Sequence, residues 1–525
     1  MRRFLILCFG VVCLGVTALP LRALASSPSH SLGSLTTSWG VSLGIYDAGH
    51  PIAQSSPVEV TAPNGSSSVV VGDRAGNLYE MDIASGSPTV GSSPVIFHSS
   101  VPIDSTPSSW RLNGTMSTMF VGLGNRAVAC KAKDGSLGGY LAIGANGQVK
   151  WMRLANNPAA VTFCPHPSVM AGLTLGKLDG SLDVLGSSLG QSEMAFHAGS
   201  GTPVKGWNPW FQADSSESTA ALASVGTGST AKSYVVEGGD STAGMGYGRT
   251  YQDGGHIRVI AAAGNKGVAG SGGQVCSFDT ARNGGQIVQS SPAIGPIFAN
   301  GALGIVSGVG YYPNRGPQGP YDGPSNVVYA LSMNCKLMWS QSTDYETSSP
   351  IVADVTGTGH LAVVVGTQNV SMHGDVAGGS VYAFDAATGH LLWKVATGAV
   401  MGSPVAADLT GAGYADIVIG STDTARGGMQ IIDGRSGLVV AHTSGFSSQN
   451  APLITADPNG RIGITMAGYN TGTWGAACNT ANGRCFAGVV YHYEIAGSSK
   501  AWLASKTTSW LQFHHDQALT GNISS

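Results

Sequence analysis

The sequence predicts an all-β protein: a β-propeller of four-stranded antiparallel blades, eight in number. Three observations predict it. An apolar, β-branched strand closed by glycine recurs eight times, ending at Gly72, Gly122, Gly176, Gly238, Gly308, Gly366, Gly420 and Gly468. A short strand opening with Ser-Pro or a relative stands before most copies, as at Ser56-Pro57, Thr106-Pro107, Ser291-Pro292, Ser349-Pro350, Ser403-Pro404 and Ala451-Pro452. Many copies close on an aromatic strand, as at Trp151, Trp339, Trp393 and Trp502. Four short strands per ~50–60 residues, repeated along a chain, is the pattern of propeller blades. Copies three and four are degenerate, so seven blades is the alternative count.

Composition agrees with a packed ring. The chain has 525 residues, 42% hydrophobic and 10% charged, with mean hydropathy +0.12. It can bury a sizeable core, which excludes a disordered chain, and its charge is too sparse for a long solvated coiled coil. The 77 glycines do not fall at every third position, which excludes collagen. A formal charge of −3 and no long basic run remove the electrostatic footprint of nucleic-acid binding.

Residues 1–25 read as a secretory signal peptide: Arg2 and Arg3 precede the apolar run Phe4 to Gly15, and Ala23-Leu24-Ala25 offers small residues for cleavage. That run is too short to span a bilayer, and no later stretch is long enough. A secreted protein, extracellular or periplasmic, monomeric and not membrane-spanning, is expected. Residues 26–54 form an N-terminal segment in which Trp39-Gly-Val-Ser-Leu-Gly44, followed by Ser56-Pro57, echoes Trp393 followed by Ser403-Pro404. This segment could supply the strand that closes the ring; alternatively Trp502 fills that role and Trp39 packs outside.

The propeller itself is expected over 55–505. A Pro at the start of a strand spares a ladder donor, which suits the Ser-Pro positions. Residues 506–525 are expected to close the ring. Their Trp510-Leu-Gln-Phe-His514-His515-Asp516 could bind metal, but neighbours in an extended strand point to opposite faces, so packing is the better reading.

Val381-Tyr-Ala-Phe-Asp-Ala-Ala-Thr-Gly-His-Leu-Leu-Trp393 resembles the repeat of PQQ-like β-propellers, the superfamily of quinoprotein dehydrogenases and BamB-type assembly factors. Ser349-Pro-Ile-Val-Ala-Asp354-Val-Thr-Gly-Thr-Gly359 and Ser403-Pro-Val-Ala-Ala-Asp408-Leu-Thr-Gly-Ala-Gly413 are similar to FG-GAP/VCBS repeats. The resemblance is strong over 345–440 and faint but in phase over 55–505. It implies the fold, and such propellers host many functions. Dehydrogenases of the superfamily carry a disulfide between adjacent cysteines and a calcium site beside the quinone. This chain has no adjacent cysteine pair, so no PQQ site is expected.

Calcium is the second cofactor weighed. FG-GAP loops resemble D-x-D/N-x-D/N-G-x-x-D, which supplies oxygen ligands at alternate positions. Asp408 and Asp416 hold positions one and nine with Thr410 at three, but Ala412 takes five; the loop at Asp354 has Ala362 at nine. Asp408 and Asp416 are therefore candidate ligands of a weak site, against a tight Gly turn with Asp capping the backbone. Gly186-Ser187-Ser188-Leu189-Gly190 matches G-x-S-x-G, but it falls between two strands rather than on a strand-to-helix elbow.

Beyond the leader stand six cysteines, and an even count in an exported chain favours disulfides. No C-x-x-C pair supports zinc. Cys478 and Cys485 are expected to staple one long loop, Cys130 to pair with Cys164, and Cys276 with Cys335, among the fifteen pairings that six cysteines allow.

Asymmetry between copies carries the functional expectation. From strand-ending Gly to next strand, three connections are 6, 6 and 9 residues, whereas the other five are 18, 19, 19, 15 and 21. These second-to-third-strand connections emerge on one face of a propeller, and insertions collected on one face of a repeat ring mark a binding face. They carry Tyr247, Arg249 and Tyr251, then Tyr311, Tyr312, Arg315 and Tyr321, then His373 and Trp474. The expectation is a non-enzymatic scaffold that binds an envelope protein or a surface polysaccharide. An enzyme on the same ring (a quinoprotein oxidoreductase, or a polysaccharide lyase or hydrolase) and an envelope assembly factor are the alternatives. Asn64, Asn113, Asn369 and Asn522 lie in N-x-S/T sequons.

Overall fold

A computed structural model describes residues 31–525 except 113, 126–137, 156–166, 191, 209, 212–215, 227–230, 240–244, 247–248, 251–254, 265–272, 281–282, 284–286, 311–325, 370–377, 423–427 and 473–484. The chain clusters into Met1–Ser31 and Leu32–Ser525, and the second unit carries every strand described. That unit is nearly all β: eight antiparallel four-stranded blades, seven of them with their strands in sequential order from the inside outward, and an added short strand, Glu346–Thr347, beside blade 6. Blade 1 runs from Val58–Thr61 to Val95–His98, blade 2 from Ser108–Trp110 to Val149–Leu154, and blade 3 from Thr174–Gly176 to Trp210–Phe211. Blade 4 runs from Ala221–Val225 to Gln274–Asp279, blade 5 from Ala293–Gly295 to Leu337–Ser342, blade 6 from Ile351–Ala353 to Leu391–Ala396, and blade 7 from Val405–Ala407 to Val439–Thr443. Eight blades are therefore present, not seven.

Blade 8 settles how the ring closes. It contains Leu453–Ala456, Ile462–Gly472 and Cys485–Ile495, and its outermost strand is Leu35–Ser42 from the N-terminal segment. Trp39 pairs with His492 in this ladder, and Trp502 lies instead in the 3-10 helix Lys500–Ala504. Pairing the two ends of the chain in one blade leaves no open seam between first and last blades.

The reading of copy three needs correction. Gly176 ends the innermost strand of blade 3, and the second strand is Asp183–Ser187, with Ser187 in place of the recurrent glycine. The six-residue connection measured from Gly176 is thus a first-to-second-strand turn. In blade 8 the ladder continues past Gly468, with Gly472 opposite Cys485, so part of the 21-residue connection there is strand.

Burial explains the residue pattern. Middle strands such as Ser380–Asp385 are buried along almost their whole length, because both faces pack against neighbouring blades. Outermost strands such as Leu391–Ala396 and Leu337–Ser342 bury essentially the tryptophan. A tryptophan lock recurs at five junctions, carried by the outermost strand in four of them and by Trp207, just before that strand, in blade 3. The indole N–H of Trp39 donates to Ile83 O (2.7 Å), Trp151 to Ala198 O (2.9 Å), Trp207 to Ala262 O (2.7 Å), Trp339 to Ala386 O (2.9 Å) and Trp393 to Gly434 O (2.6 Å), each in the next blade. Each indole lies on a glycine of that blade's last turn: Gly86, Gly201, Gly264, Gly389 and Gly437. Their φ values lie between 64° and 74°, and a Cβ there would come within 2.5–2.8 Å of the indole. Only glycine satisfies both demands at low cost.

Blades 4 and 5 are joined differently. Cys276 stands opposite Val259 with a bulge beyond, the register that Trp339 holds opposite Ala330 and Trp393 opposite Ala383. Cys335 occupies the turn after Ser332 with φ 59°, the place and conformation of the lock glycine. The two sulfurs are bonded. A disulfide therefore stands where five other junctions carry Trp on Gly.

The C-terminal segment closes the axis. Thr507 O accepts from Asp354 N (2.7 Å) of blade 6, Trp510 exchanges two bonds with Ala406 of blade 7 (2.8 and 2.9 Å), and Leu511 O accepts from Ile454 N (2.7 Å) of blade 8. Gln517, Ala518, Thr520 and Gly521 carbonyls then accept from Ser109, Leu175, Leu222 and Ile294 of blades 2, 3, 4 and 5 (2.7–2.8 Å). The tail thus satisfies inner-edge N–H groups of seven blades that have no ladder partner. His514, with φ 55°, is buried, with Nδ1 2.7 Å from Leu519 O and Nε2 3.0 Å from Pro292 O. Its role is packing within the tail, as the sequence reading favours.

Candidate binding end and axial funnel

The glycine that closes the second strand abuts, in most blades, the segment by which the chain enters the next blade. A Cβ on Gly72 would strike Ile103, on Gly122 Val169, on Gly238 Val288, on Gly308 Thr347 and on Gly366 Val400. Behind this recurrence lies a tripeptide at the entry to each innermost strand, such as Gln54-Ser55-Ser56, Asp104-Ser105-Thr106, Glu217-Ser218-Thr219 and Gln289-Ser290-Ser291. Its three positions do three jobs. The middle serine accepts from the strand-ending glycine: Ser55 from Gly72 (3.0 Å), Ser105 from Gly122 (3.0 Å), Ser218 from Gly238 (3.2 Å), Ser290 from Gly308 (3.2 Å) and Ser348 from Gly366 (3.1 Å). The last residue accepts from the preceding blade: Thr106 Oγ1 from Ser56 N (3.0 Å), Thr219 Oγ1 from Gly172 N (2.8 Å), Ser291 Oγ from Thr219 N (2.9 Å), Ser349 Oγ from Ser291 N (2.9 Å) and Ser56 Oγ from Ala451 N (3.1 Å). A girdle of hydrogen bonds therefore runs from blade to blade around the axis.

The first residue of the tripeptide faces the axis. Gln54, Asp104, Glu217, Gln289 and Gln449, with Glu346 just before the Thr347-Ser348-Ser349 tripeptide of blade 6, line a funnel to which all eight blades contribute, with Phe513 of the tail also in its wall. Arg74 Nε is 3.1 Å from both Asp104 oxygens, and Asn125 Nδ2 donates to Asp104 Oδ2 (3.2 Å). Gln368 donates to Glu346. Among the described lining residues there is no lysine or arginine. Sequence reading treated the Ser-Pro pairs as strand starts and missed the lining; the signal was the polar residue two places before the hydroxyl in blades 1, 2, 4 and 5.

The funnel mouth lies at the end where second and third strands connect. Val309 N donates to Val327 O (3.1 Å), and Ser348 and Val400, from blade entries, donate to Gly366 and Thr367 (2.9 Å each) at the start of such a connection. Of the residues expected on that face, Tyr247, Tyr251, Tyr311, Tyr312, Arg315, Tyr321, His373 and Trp474 lie outside the described residues. Arg249 belongs to Arg249–Thr250, paired with Met245–Gly246. Cys130, Cys164 and Cys478 also lie outside, and Cys485 opens its strand.

Asp408 caps its own turn. Its Oδ1 accepts from the amides of Thr410 (3.2 Å), Gly411 (2.7 Å) and Ala412 (3.1 Å), and its Oδ2 from Gly413 (2.8 Å). Asp354 does the same for Thr356, Gly357 and Gly359 (3.0, 2.8 and 2.7 Å). Amide hydrogens aimed at both oxygens compete with a cation for the carboxylate lone pairs. Burial pushes Asp416 up to about 8, and its oxygen accepts from Leu409 N (3.2 Å). A neutral acid is a poor calcium ligand.

A different group gathers at the opposite end of blade 3. Asp183 Oδ1 lies 2.8 Å from His197 Nδ1, and Asp179 Oδ2 lies 3.7 Å from His197 Nε2. One ligand atom from each residue falls within 4.8 Å of the others, so by donor type the three could hold a metal ion. Ser181 Oγ reaches all three at 2.7–3.1 Å. The alternation Asp179-Gly-Ser181-Leu-Asp183 was the sequence signal for it.

These features define a class: an eight-bladed β-propeller closed by its N-terminal strand and capped on its axis by its C-terminal tail. Among solved structures, a europium-containing methanol dehydrogenase is similar to it, with a TM-score of 0.51 and 11% identity over 88% of this chain and 93% of that one. BamB from Moraxella catarrhalis gives a TM-score of 0.46 with 14% identity, covering 88% and 98%. The V. cholerae biofilm matrix protein Bap1 gives 0.41 with 12% identity, covering 92% and 94%. No protein-family model and no curated protein matches the chain. Identities this low show the shared fold alone.

The described funnel does not fit an anionic quinone such as PQQ. Its walls offer Asp104, Glu217 and Glu346, and the nearest described guanidinium, Arg74, is already paired with Asp104. The disulfide found, Cys276–Cys335, lies between the outermost strand of one blade and a turn of the next.

Proposed function

We propose that the protein is an exported, non-enzymatic β-propeller that holds a cell-surface glycan or an envelope protein on its loop-bearing end. One observation carries the reading. The long second-to-third-strand connections leave and re-enter the blades at the same end as a polar funnel built from every blade. A rigid girdle beneath variable connections is the arrangement of a recognition surface. No helix among the described residues is long and apolar enough to cross a membrane, which fits the reading without deciding the compartment. The test is capture from fractionated envelope proteins and glycans by the full chain and by a chain with 311–325 shortened to a Gly-Ser link. Equal capture by both chains contradicts the proposal.

A further inference from the structure

The C-terminal tail bonds to every blade but one. In blades 2, 3, 4, 5, 7 and 8 its carbonyls accept from the second residue of the innermost strand: Ser109, Leu175, Leu222, Ile294, Ala406 and Ile454. In blade 1 that place falls to Glu59, and among the described residues no backbone bond joins the tail to blade 1. A cavity of about 300 Å³ lies at this gap, lined by Glu59, by Leu453 and Ile454 of blade 8, and by the tail. It shares no lining residue with the axial funnel.

Leu453, Ile454, Leu503, Leu511 and Ile523 give the cavity an apolar wall. Two acceptors stand open in it. Glu59 takes the Ser67 hydroxyl on Oε1, and among the described residues its Oε2 accepts no hydrogen bond. Gln512 is only 3% exposed; its Nε2 donates to Asp516 O (2.7 Å), and its Oε1 likewise has no donor among the described residues. The charged groups of the tail beside them are engaged. Lys506 Nζ donates to Ser525 O (3.2 Å), and Asp516 Oδ2 is held by His515, Thr520 and Ser525. Burial, aided by the charge of Asp457, raises the pKa of the Glu59 carboxyl against the bond from Ser67, and a cation at Oε2 would offset that cost.

We infer that this cavity binds the ammonium end of an apolar primary amine. Its N–H donors meet Glu59 Oε2 and Gln512 Oε1, and its carbon chain lies against the leucines and isoleucines of the wall. Charge-assisted hydrogen bonds gain strength in apolar surroundings. An alcohol of the same length brings one neutral donor, and a carboxylate meets Glu59 as a like charge.

The experiment is calorimetric titration of the full chain at pH 7 with n-hexylamine, n-hexanol and n-hexanoate. Hexylamine should bind one per chain and about tenfold more tightly than hexanol, and hexanoate should not bind. Glu59→Gln, which keeps an acceptor for Ser67, should lose about tenfold for hexylamine and leave hexanol unchanged. Leucinamide beside hexylamine tells a peptide amino terminus from a free alkylamine, and tighter binding than hexanol by either supports the site. Hydrogen exchange locates the site without any variant: hexylamine should slow exchange at Glu59 and Gln512 and leave Gln289 and Ser290 unchanged. Equal binding of amine and alcohol, indifference to Glu59→Gln in a chain that melts like the parent, or protection found elsewhere overturns the inference. If that variant melts early, the ligand ranking and the exchange map of the parent decide it.

Discussion

The indole N–H of Trp39 donates to the carbonyl oxygen of Ile83 across 2.7 Å, tying the first strand of the chain to blade 1. The same ring lies on Gly86 and stacks on His492 at 5.4 Å, whose Nε2 is 2.9 Å from Asp457. The closing blade is thus held by the lock that joins blades with no chain end between them. Trp39→Ala should cost about 2–3 kcal/mol, since a large, partly buried ring and its hydrogen bond are lost together. Hydrogen exchange should speed up along Cys485–Ile495, the strand that Leu35–Ser42 covers. Trp502→Ala, outside that ladder, should leave those amides protected. The reverse pattern would place closure at Trp502.

The disulfide makes a sharper prediction, because it occupies a position with a known substitute. Cys276→Ser should cost about 2–4 kcal/mol. The double variant Cys276→Trp/Cys335→Gly should recover more than half of that, since it rebuilds the lock of the other junctions and relieves the positive φ at Cys335. Thermal unfolding under non-reducing conditions reads both. Equal destabilisation by the single and double variants would show that the two junctions are not equivalent.

Acid should loosen the tail in two steps. Burial holds His514 down to about 4 against an unfolded value near 6.5, although two carbonyl oxygens pull the other way. The unfolded chain therefore takes up this proton first, and stability falls from about pH 6.5 to pH 4, by about 3 kcal/mol. Burial pushes Asp516 up, but hydrogen bonds from His515, Thr520 and Ser525 outweigh it and bring it to about 2. Its contribution is present above about pH 4 and is lost as the pH falls toward 2. Denaturant melts at pH 7 and 4.5 should show the first loss in the parent and little of it in His514→Asn. Stability rising on acidification through pH 6.5 would mean that the imidazolium is the form held between the two carbonyls.

Asp408 should matter for the turn and not for calcium. Asp408→Ala leaves four buried or half-buried amides without their acceptor, at a cost of about 1–3 kcal/mol. Adding calcium or a chelator should move the unfolding temperature of neither chain. A calcium-dependent rise in the parent that is absent from the variant would restore the metal reading.

Most of the fold was legible because each blade repeats its constraints. The Gly that abuts the next blade, the hydroxyl that bonds across the ring and the Trp of the lock each leave a residue at a fixed spacing. Legibility failed where a copy substitutes its parts. Blade 3 enters through Met170-Ala171-Gly172 without a Ser-Pro signal, so its innermost strand, ending at Gly176, looked like a second strand. Blade 4 carries Cys276 where a Trp marks other copies, which hid its phase. The tail was opaque for another reason: its partners are single amides in seven blades, separated from it by up to 400 residues or so, and no local pattern records them. The funnel residues were visible one by one, but their convergence is a property of the closed ring.

The central claim is that the loop-bearing end, not a buried cofactor, is the functional surface. Replacing Tyr311, Tyr312 and Tyr321 with Ser and measuring envelope-ligand capture beside thermal unfolding tests it most directly. Capture should fall at least about tenfold, because aromatic side chains supply much contact area at little entropy cost. The unfolding temperature should stay within a degree or two, since connections beyond the blade ends add little to the stacked core. Undiminished capture, or a variant that unfolds much earlier, would contradict the account.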